Sequence, residues 1–416
     1  MTKRNAPSDT QNDPRRILII VENLPVPFDR RVWSEATTLR QAGYAVSVIC
    51  PKGRGYEASQ ETIDGIHIFR HRLPLEARGP SAYLIEYSAA LFWEFVLSVK
   101  VAWRHGFDVI HACNPPDLVF LVGLFHKVFG RKSFLFDHHD VNPEFYEAKF
   151  ARRGLFWRLL VAAERLTFKT ADISIATNES YRRIAIERGG MSPDRVFVVR
   201  SGPNLDRVKK LPVDPRWRSG RQYTVGYVGV ISQTEGLDLL LSAVRHIVRT
   251  RGRTDVHFVV AGAGPEWREV AQLCGRMELG DYVTFTGRVD DHTLFSILST
   301  ADVCVNPDRV TPYNDLSTMN KIMEYMALGK PIVQFEVTEG KFSAQDASLY
   351  AKPNDPEDLA EKILQLIDAP QMRERMGQYG EARVRETLAW HHEQPKLLKA
   401  YETLFAMRKR SRPFKK

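Results

Sequence analysis

The chain has 416 residues, 44% of them hydrophobic and 26% charged, and its formal net charge is +9. That length is too great for one ordinary core and predicts two or three domains, while the composition excludes a disordered or collagen-like chain. The positive charge favours acidic partners, namely phosphorylated substrates, anionic lipid or nucleic acid. Because no segment has the signature of a common nucleic-acid-binding module, we expect no nucleic-acid partner.

Four scattered cysteines without a C-x-x-C spacing predict neither a disulfide framework nor a zinc site, and they fit a reducing compartment. The N-terminal residues are polar and lack an apolar segment, so residues 1–14 are predicted to be a disordered tail and not a secretory signal. The apolar stretch 84–103 contains three charged residues and misses the roughly 18 uninterrupted apolar residues of a membrane span. It is predicted to be a long helix.

Short apolar runs alternate with helical patterns over the first half of the chain. The predicted strands cover residues 17–21, 44–50, 66–69, 108–112, 133–136, 171–176 and 196–200. Asp29 is expected to cap the first helix, and a later helix is expected over 117–129. Alternating strands and helices imply parallel pairing in a doubly wound sheet, which defines a first domain at residues 15–205.

A linker with several prolines follows, and the alternation then begins again. The second set of predicted strands covers residues 225–228, 256–261, 283–286, 303–306 and 332–335. The predicted fold class is therefore α/β, with two Rossmann-like doubly wound domains facing a cleft, where ligands of open α/β sheets bind. The second domain is placed at residues 206–385, a C-terminal helix that crosses back to the first domain at 386–405, and a basic tail at 406–416.

The segment 317–339 predicts a helix that stops before a buried strand. Ser317 or Thr318 is expected to cap this helix, and Gly329 to end it. Lys321 and Glu324 lie beside its core-facing stripe, where a lysine near a helix N-terminus suits a phosphate and a carboxylate can hold a ribose diol. Taken alone, the two residues are better explained as an exposed ion pair worth about 0.2–0.5 kcal/mol.

This segment resembles the donor-binding helix of family 4 glycosyltransferases, retaining enzymes of the GT-B fold, and the resemblance extends from about Arg16 to Tyr401. The family pattern contains two glutamates separated by seven residues. Glu324 falls on the second glutamate, which implies a donor-binding role for it and for Asn320 at the start of the same helix. Leu316 occupies the position of the first glutamate, which is therefore missing.

The cluster Asp137-His138-His139-Asp140 ends a predicted strand, at the edge where open α/β folds place chemistry. Its similarity to the family's Asp-Ala-His-Asp pattern implies that His139 is catalytic, lying against the donor sugar while the bond to phosphate breaks. Neighbouring side chains on an extended segment point in different directions, so His138 and His139 are not expected to share a metal ion. An ordinary loop histidine is the alternative for His139, and the role of His138 is left open.

The run Gly226-Tyr227-Val228-Gly229 resembles the family's first strand and turn in the nucleotide domain, where Gly229 allows backbone to approach phosphate. The family pattern continues with an arginine and a lysine that contact the diphosphate. This chain has Val230 and Glu235 at those positions. Since charge develops on the leaving diphosphate, another cation is expected to stabilise it.

Lys321 is the first candidate for that cation and is predicted to be catalytic. Arg288 and Arg309 are the alternatives, and Arg288 is also predicted to bind the donor. Gly262, in a Gly-x-Gly-Pro turn, matches the family's nucleobase pocket, although a plain strand-to-helix turn fits equally. The start of the first helix resembles the family's acceptor side, which implies contacts from Asp29 and Arg30; a capped surface helix fits these residues as well.

Basic and apolar residues alternate over residues 149–169, which predicts a basic amphipathic helix. Together with the basic residues at 408–416, this pattern favours peripheral contact with an anionic membrane surface. A core-packed helix with a solvated basic face is the commoner outcome of such a pattern.

The predicted function is that of a retaining, metal-independent hexosyltransferase. It is expected to move a sugar from a nucleotide-sugar donor, without a further cofactor, to a hydroxyl of a lipid-linked or cell-surface glycan precursor in polysaccharide biosynthesis of the cell envelope. The predicted location is the cytoplasm, with contact at the inner face of the membrane. A nucleotide-sugar epimerase or hydrolase of the same fold is one alternative. A non-catalytic partner protein that keeps the fold is another, because the glutamate, arginine and lysine are replaced.

Overall fold

The computed structural model describes residues 14–72 and 80–410, which form two β-sheets with flanking helices. The strands of the first sheet are β1 (Arg16–Ile20), β2 (Ala45–Pro51), β3 (Gln60–Ile63), β4 (Ile66–His71), β5 (Val109–Cys113), β6 (Ser133–His138), β7 (Ile173–Ala176) and β8 (Val196–Val198). The accompanying helices are α1 (Arg30–Gln41), α2 (Pro80–Arg104), α3 (Phe120–Gly130), α4 (Asn142–Phe150), α5 (Leu155–Thr170) and α6 (Glu179–Glu187).

The strand order of this sheet is β3-β4-β2-β1-β5-β6-β7-β8. β1 pairs in parallel with β2 and β5, and these strands are almost wholly buried because helices cover both faces of a parallel sheet. β3 pairs antiparallel with β4 at the edge. Asp29 caps α1, since its carboxylate accepts from the backbone N–H of Val32 at 3.0 Å.

The second sheet comprises β9 (Tyr223–Val228), β10 (Val256–Ala261), β11 (Val283–Gly287), β12 (Val303–Asn306), β13 (Ile332–Phe335) and β14 (Ser348–Ala351), in the order β11-β10-β9-β12-β13-β14. Its helices are α7 (Leu237–Arg245), α8 (Trp267–Arg276), α9 (Asp291–Thr300), α10 (Pro312–Leu316), α11 (Asn320–Ala327), α12 (Thr338–Ala344), α13 (Pro356–Asp368), α14 (Pro370–Arg383) and α15 (Trp390–Arg410). Single π-helical turns, His246–Thr250 and Val384–Leu388, extend α7 and α14. Short 3₁₀ turns lie at Asp117–Val119, Pro193–Arg195, Pro215–Arg218, Gln233–Glu235 and Gln345–Ala347.

The contacts divide the chain into two compact units. Of the described residues, the first unit contains those up to Asp137, residues 166–174, and those from Tyr401 onward; the second contains residues 138–165 and 175–400. The domain limits predicted from the sequence remain a prediction.

The predicted fold class is confirmed, with two doubly wound parallel sheets, and several details differ. The antiparallel strand β3 and the last strand β14 were not predicted. The helix predicted over 149–169 is wrong, because α4 ends at Phe150, the next residue Ala151 has φ 51°, and α5 begins only at Leu155. Met319, and not Ser317 or Thr318, occupies the N-cap position of α11, and its side chain makes no capping hydrogen bond.

The C-terminal helix is longer than predicted, since α15 runs to Arg410 and takes in residues assigned to the basic tail. Phe405 stacks on Tyr44, with 5.9 Å between ring centroids, and Arg408 pairs with Asp108 at 2.9 Å, so packing supports the extra turns. The predicted tails at residues 1–13 and 411–416 lie outside the described residues. Within the described residues, no helix combines the length and apolar character needed to cross a membrane.

Candidate functional site

Two glycine turns interlock where β9 and β10 end. The N–H of Gly229 donates to the carbonyl of Ala261 at 3.1 Å, and the N–H of Ile231 donates to Ala263 at 3.2 Å. Gly262 has φ 148°, and a Cβ on it would lie 1.8 Å from the carbonyl oxygen of Gly229. Only glycine fits there without backbone movement, so the two predicted glycines are held against each other.

Lys321, the second residue of α11, lies beside this turn. A Cβ on Gly229 would be 3.1 Å from the Lys321 ammonium, so the absent side chain leaves the cation next to backbone. The ammonium pairs with Glu235 and, at 3.0 Å, with Asp308. The Tyr227 hydroxyl lies 2.9 Å from the Glu235 carboxylate and completes the cluster. The cation predicted to serve the diphosphate is therefore paired with two carboxyl groups.

The pKa values of this cluster follow from burial and mutual charge. Burial raises the pKa of Asp308 to about 8, with a smaller contribution from Glu235, although Lys321 acts in the opposite sense. Burial also favours the neutral form of Glu235, but the charge and hydrogen bond of Lys321 outweigh it and lower the pKa of that carboxyl. Glu235 is therefore the more acidic of the two carboxyl groups beside Lys321.

Glu324 lies one turn after Lys321 on α11 and is 13% exposed at its side chain. Its carboxylate accepts from the guanidinium of Arg207 at 3.1 Å, and Arg207 also pairs with Asp291 at 2.7 Å. The side chain of Asn204 accepts from the N–H of Asp206 at 3.0 Å in the turn before Arg207. The turn that follows the predicted first domain therefore places Arg207 against Glu324, the carboxylate predicted to bind ribose.

The remaining predicted donor residues differ in their surroundings. Asn320 is exposed at the start of α11. Arg288 is exposed and follows Gly287, whose carbonyl accepts from the N–H of Gly262 at 3.0 Å, so it is next to the glycine turns. Arg309 pairs with Asp238 and is neutralised there. Lys321 and Arg309 thus both have carboxylate partners within the protein.

His139 follows β6 directly and is half-buried. The next residue, Asp140, accepts from the hydroxyl of Tyr313 at 3.0 Å, and Tyr313 belongs to α10, the helix that precedes α11. The rings of Phe145 and Tyr313 are 5.2 Å apart and reinforce this contact. These two contacts of Tyr313 hold the segment that carries His139 against the helix that precedes α11. His138 is buried, 3.7 Å from Glu164.

A separate ionic cluster lies at the start of α1, in the first unit. Arg31 donates to both carboxylate oxygens of Asp137, at 3.1 and 2.7 Å, and pairs with Glu35 at 3.1 Å. Burial alone would lower the pKa of Arg31, but the two carboxylates raise it. Among the described residues, His111, Cys113 and Asp137 also bring possible metal ligands within 4.8 Å of one another.

The predicted acceptor-side residues flank this cluster. Asp29 is buried, and its carboxylate caps α1 by accepting a hydrogen bond from Val32. Arg30 is exposed. Their contact with an acceptor stays a prediction. Asp137, two residues before His139, forms a buried ion pair with Arg31 in the first unit.

Sequence reasoning missed the partners that define the charge of the site. Arg207 and Asp308 were not selected, and Glu235 was treated only as a departure from the family pattern. Asp308 follows Asn306-Pro307 at the end of β12, and a polar residue after a buried strand is the signal that identifies it. The pairing of Arg207 with Glu324 spans 117 positions and has no local signal.

Solved structures share the architecture of this protein. Sucrose-phosphate synthase from Thermosynechococcus elongatus matches with a TM-score of 0.78 at 20% identity, over 94% of this chain and 100% of that one. Anabaena HepE in complex with UDP-glucose matches with a TM-score of 0.69 at 16% identity, over 93% and 99% of the two chains. The chain therefore has the GT-B fold.

Two family models match successive parts of the sequence. Residues 29–207 match Glycosyltransferase Family 4, and residues 222–369 match Glycosyl transferases group 1. The chain belongs to the family 4 glycosyltransferases.

Alpha-D-kanosaminyltransferase of Streptomyces kanamyceticus is 31% identical over 154 residues, which is 36% of this chain and 38% of that protein. For this relative and three others, the match covers 38–60% of the length of the related protein.

Proposed function

We propose that this protein is a glycosyltransferase that moves a hexosyl group from a nucleotide sugar to a hydroxyl, with retention at the anomeric carbon and without a metal ion. The observation that carries the proposal is the placement of Lys321 against the Gly229 turn at the end of β9, with Glu324 one turn further along α11. A cation beside exposed backbone suits a diphosphate, and a carboxylate at that spacing suits a ribose. Family membership supports the same conclusion.

Each site residue then has a distinct task. Lys321 stabilises the charge that develops on the leaving diphosphate, and Glu324 accepts hydrogen bonds from the ribose hydroxyls. Asn320, Arg288 and the two glycine turns complete the donor site. His139 lies against the sugar and contributes mainly when the bond to phosphate breaks.

The acceptor is proposed to be a lipid-linked or cell-surface glycan precursor of the cell envelope, met at the inner face of the membrane. The net charge of +9 supports an anionic acceptor or surface. Asp29 and Arg30 are proposed to lie on the acceptor side.

Donor binding tests the proposal most directly. A panel of nucleotide sugars would be screened by thermal shift, and the best ligand titrated against the parent, Glu324→Ala and the control Glu269→Ala, which removes an exposed carboxylate of α8. Loss of charged hydrogen bonds worth about 1.5–3 kcal/mol predicts roughly 10- to 100-fold weaker binding for Glu324→Ala alone. Equal affinities in folded parent and variant would remove Glu324 from the donor site.

His139→Ala separates chemistry from binding. Because its interaction is made mainly in the transition state, kcat should fall while donor affinity changes little. A variant with parental kcat would make His139 an ordinary loop residue.

A second candidate function is nucleotide-sugar binding without transfer, and the observation that favours it is the pairing of Lys321 with Glu235 and Asp308 within the protein. Release of nucleoside diphosphate from the donor, measured with and without acceptor glycolipid, distinguishes the cases. Acceptor-dependent release supports a transferase, acceptor-independent release a hydrolase, and tight binding without release the non-catalytic candidate.

A further inference from the structure

Helix α2 turns its apolar residues outward. A stripe with spacing i, i+3, i+4, i+7, i+11 is exposed at 60, 36, 38, 41 and 84%, and it consists of Phe92, Phe95, Val96, Val99 and Trp103. The opposite face buries the polar side chains of Glu94 and Ser98, at 1% and 0% exposure. A surface helix facing water has the reverse arrangement, so the outer face of α2 is suited to an apolar environment.

Helix α3 repeats this arrangement beside α2. Its exposed side chains are Leu121, Leu124, Val128 and Phe129, at 45, 42, 60 and 76%. Its inward face carries His126, whose ring nitrogen lies 2.9 Å from the Ser98 hydroxyl of α2. The rings of Phe95 and Phe125 are 4.8 Å apart and join the two stripes. The nine exposed side chains and Phe125 are called the α2–α3 apolar surface.

The exposed charges that α2 and α3 themselves contribute, among their described side chains, have one sign. Lys100 and Arg104 lie on α2 next to Val99 and Trp103, and Arg131 follows the last turn of α3. Among the described side chains of both helices, the one carboxylate is Glu94, and it is buried. Cations at the margin of an aromatic patch suit the headgroup region of an anionic bilayer, where aromatic rings lie at the interface and basic side chains extend toward phosphate.

We propose that the α2–α3 apolar surface docks on an anionic lipid bilayer. A second copy of the chain is a poorer occupant, because it would bring further cations and, from the described side chains of α2 and α3, no exposed carboxylate to pair with them. The sequence pattern placed membrane contact at residues 149–169, but that region is divided between α4 and α5. The proposal moves the contact to a different surface and is independent of transfer activity.

Vesicle sedimentation with the full chain tests the proposal. The double variant Trp103→Ser/Phe129→Ser is compared with Leu155→Ser/Phe156→Ser, which removes two exposed apolar side chains of α5, and with Val213→Ser as an exposed apolar control. Vesicles contain phosphatidylcholine alone or with phosphatidylglycerol. We expect the parent to bind the anionic vesicles, and Trp103→Ser/Phe129→Ser to lose roughly tenfold or more in affinity, with parental binding by both controls.

A second pair of substitutions examines the charge. Arg104→Ala/Arg131→Ala should weaken binding to anionic vesicles and make it less sensitive to salt. Unfolding temperature and nucleotide binding of each variant establish that it is folded. Parental binding by folded Trp103→Ser/Phe129→Ser overturns the proposal, as does loss only in Leu155→Ser/Phe156→Ser. If the parent does not bind anionic vesicles but forms a dimer, and the dimer is lost in Trp103→Ser/Phe129→Ser, the proposal is overturned. The surface is then assigned to a second copy of the chain.

Discussion

Glu235 occupies a position where the family pattern has a lysine, and its carboxylate is bound to Lys321. If Lys321 meets the donor diphosphate, Glu235 competes with the donor for the same ammonium. Replacement by a neutral isostere keeps a hydrogen-bond acceptor for Tyr227 and removes the competing charge. This pair therefore offers a test in which a substitution inside the site is expected to strengthen binding.

Glu235→Gln should tighten the binding of a nucleoside diphosphate by roughly three- to tenfold, about 1 kcal/mol, because the charge of Lys321 becomes less compensated. Isothermal titration would measure the change. Glu278→Gln, which removes an 83% exposed partner of Arg249, is the control and should bind as the parent does. Weaker binding by Glu235→Gln would show that Glu235 assists the ligand.

Asp308 predicts a pH dependence of the same site. Its pKa is about 8, so raising the pH through that value removes its proton and adds a negative charge beside Lys321 and Glu235. The affinity for a nucleoside diphosphate should therefore fall from about pH 7 to about pH 9, by roughly three- to tenfold. Asp308→Asn should abolish the decline. A variant that follows the parental pH profile would assign the decline to another group.

At the scale of single elements, strongly patterned segments were predictable. The bounds of β10, β12 and β13 were predicted to the residue, because each is a short buried run flanked by turn residues. β3, with its mostly polar Gln60–Ile63 sequence and partly exposed side chains, has no such signal and pairs by tertiary context. The break between α4 and α5 depends on Ala151 in a left-handed conformation, which its sequence does not indicate.

Helix α2 provides a test of stability at this scale. Burial raises the pKa of Glu94 from 4.5 to about 7. The folded protein therefore keeps a proton that the unfolded chain releases, and the free energy of unfolding falls as the pH rises across that interval. A full shift of this size is worth roughly 3 kcal/mol.

Glu94→Gln should accordingly raise the unfolding temperature near pH 8 and change it little near pH 4. Thermal unfolding followed by circular dichroism at both pH values measures the difference. Glu187→Gln, at an exposed position of α6, should have no effect at either pH. An equal change in unfolding temperature at both pH values would show that the effect of Glu94→Gln does not arise from the ionisation of Glu94.

For the whole molecule, the first compact unit depends on residues from the C-terminal end of the chain. Tyr401, Leu404 and Phe405 of α15 are 0, 1 and 5% exposed. The Tyr401 hydroxyl lies 2.8 Å from a ring nitrogen of His111. The last helix is thus part of the core of a unit that begins at the other end of the sequence.

Truncation after residue 400 should remove at least about 5 kcal/mol of apolar burial and prevent stable folding of the first unit. Truncation after residue 410 keeps these side chains and should unfold as the parent does. Limited proteolysis with peptide mapping would locate the damage. A protein ending at residue 400 with parental protease resistance would contradict this assignment.

The charge balance of the site could not be predicted for a related reason. Glu324 and Lys321 were found through their spacing on one helix, whereas their partners Arg207, Glu235 and Asp308 come from other parts of the chain. A motif specifies which side chains share a helix face, and the fold decides which charges surround them.

If Glu324 binds the donor ribose as proposed, its ion pair with Arg207 makes nucleotide binding an exchange between two partners of one carboxylate. A ribose that approaches Glu324 replaces a guanidinium 3.1 Å away, and the released arginine then lies beside the newly bound ligand. Added salt weakens the internal pair as well as the attraction for the ligand, so the two effects oppose each other. Nucleotide affinity should consequently vary less with ionic strength in the parent than in Arg207→Ala, whose carboxylate has lost this guanidinium.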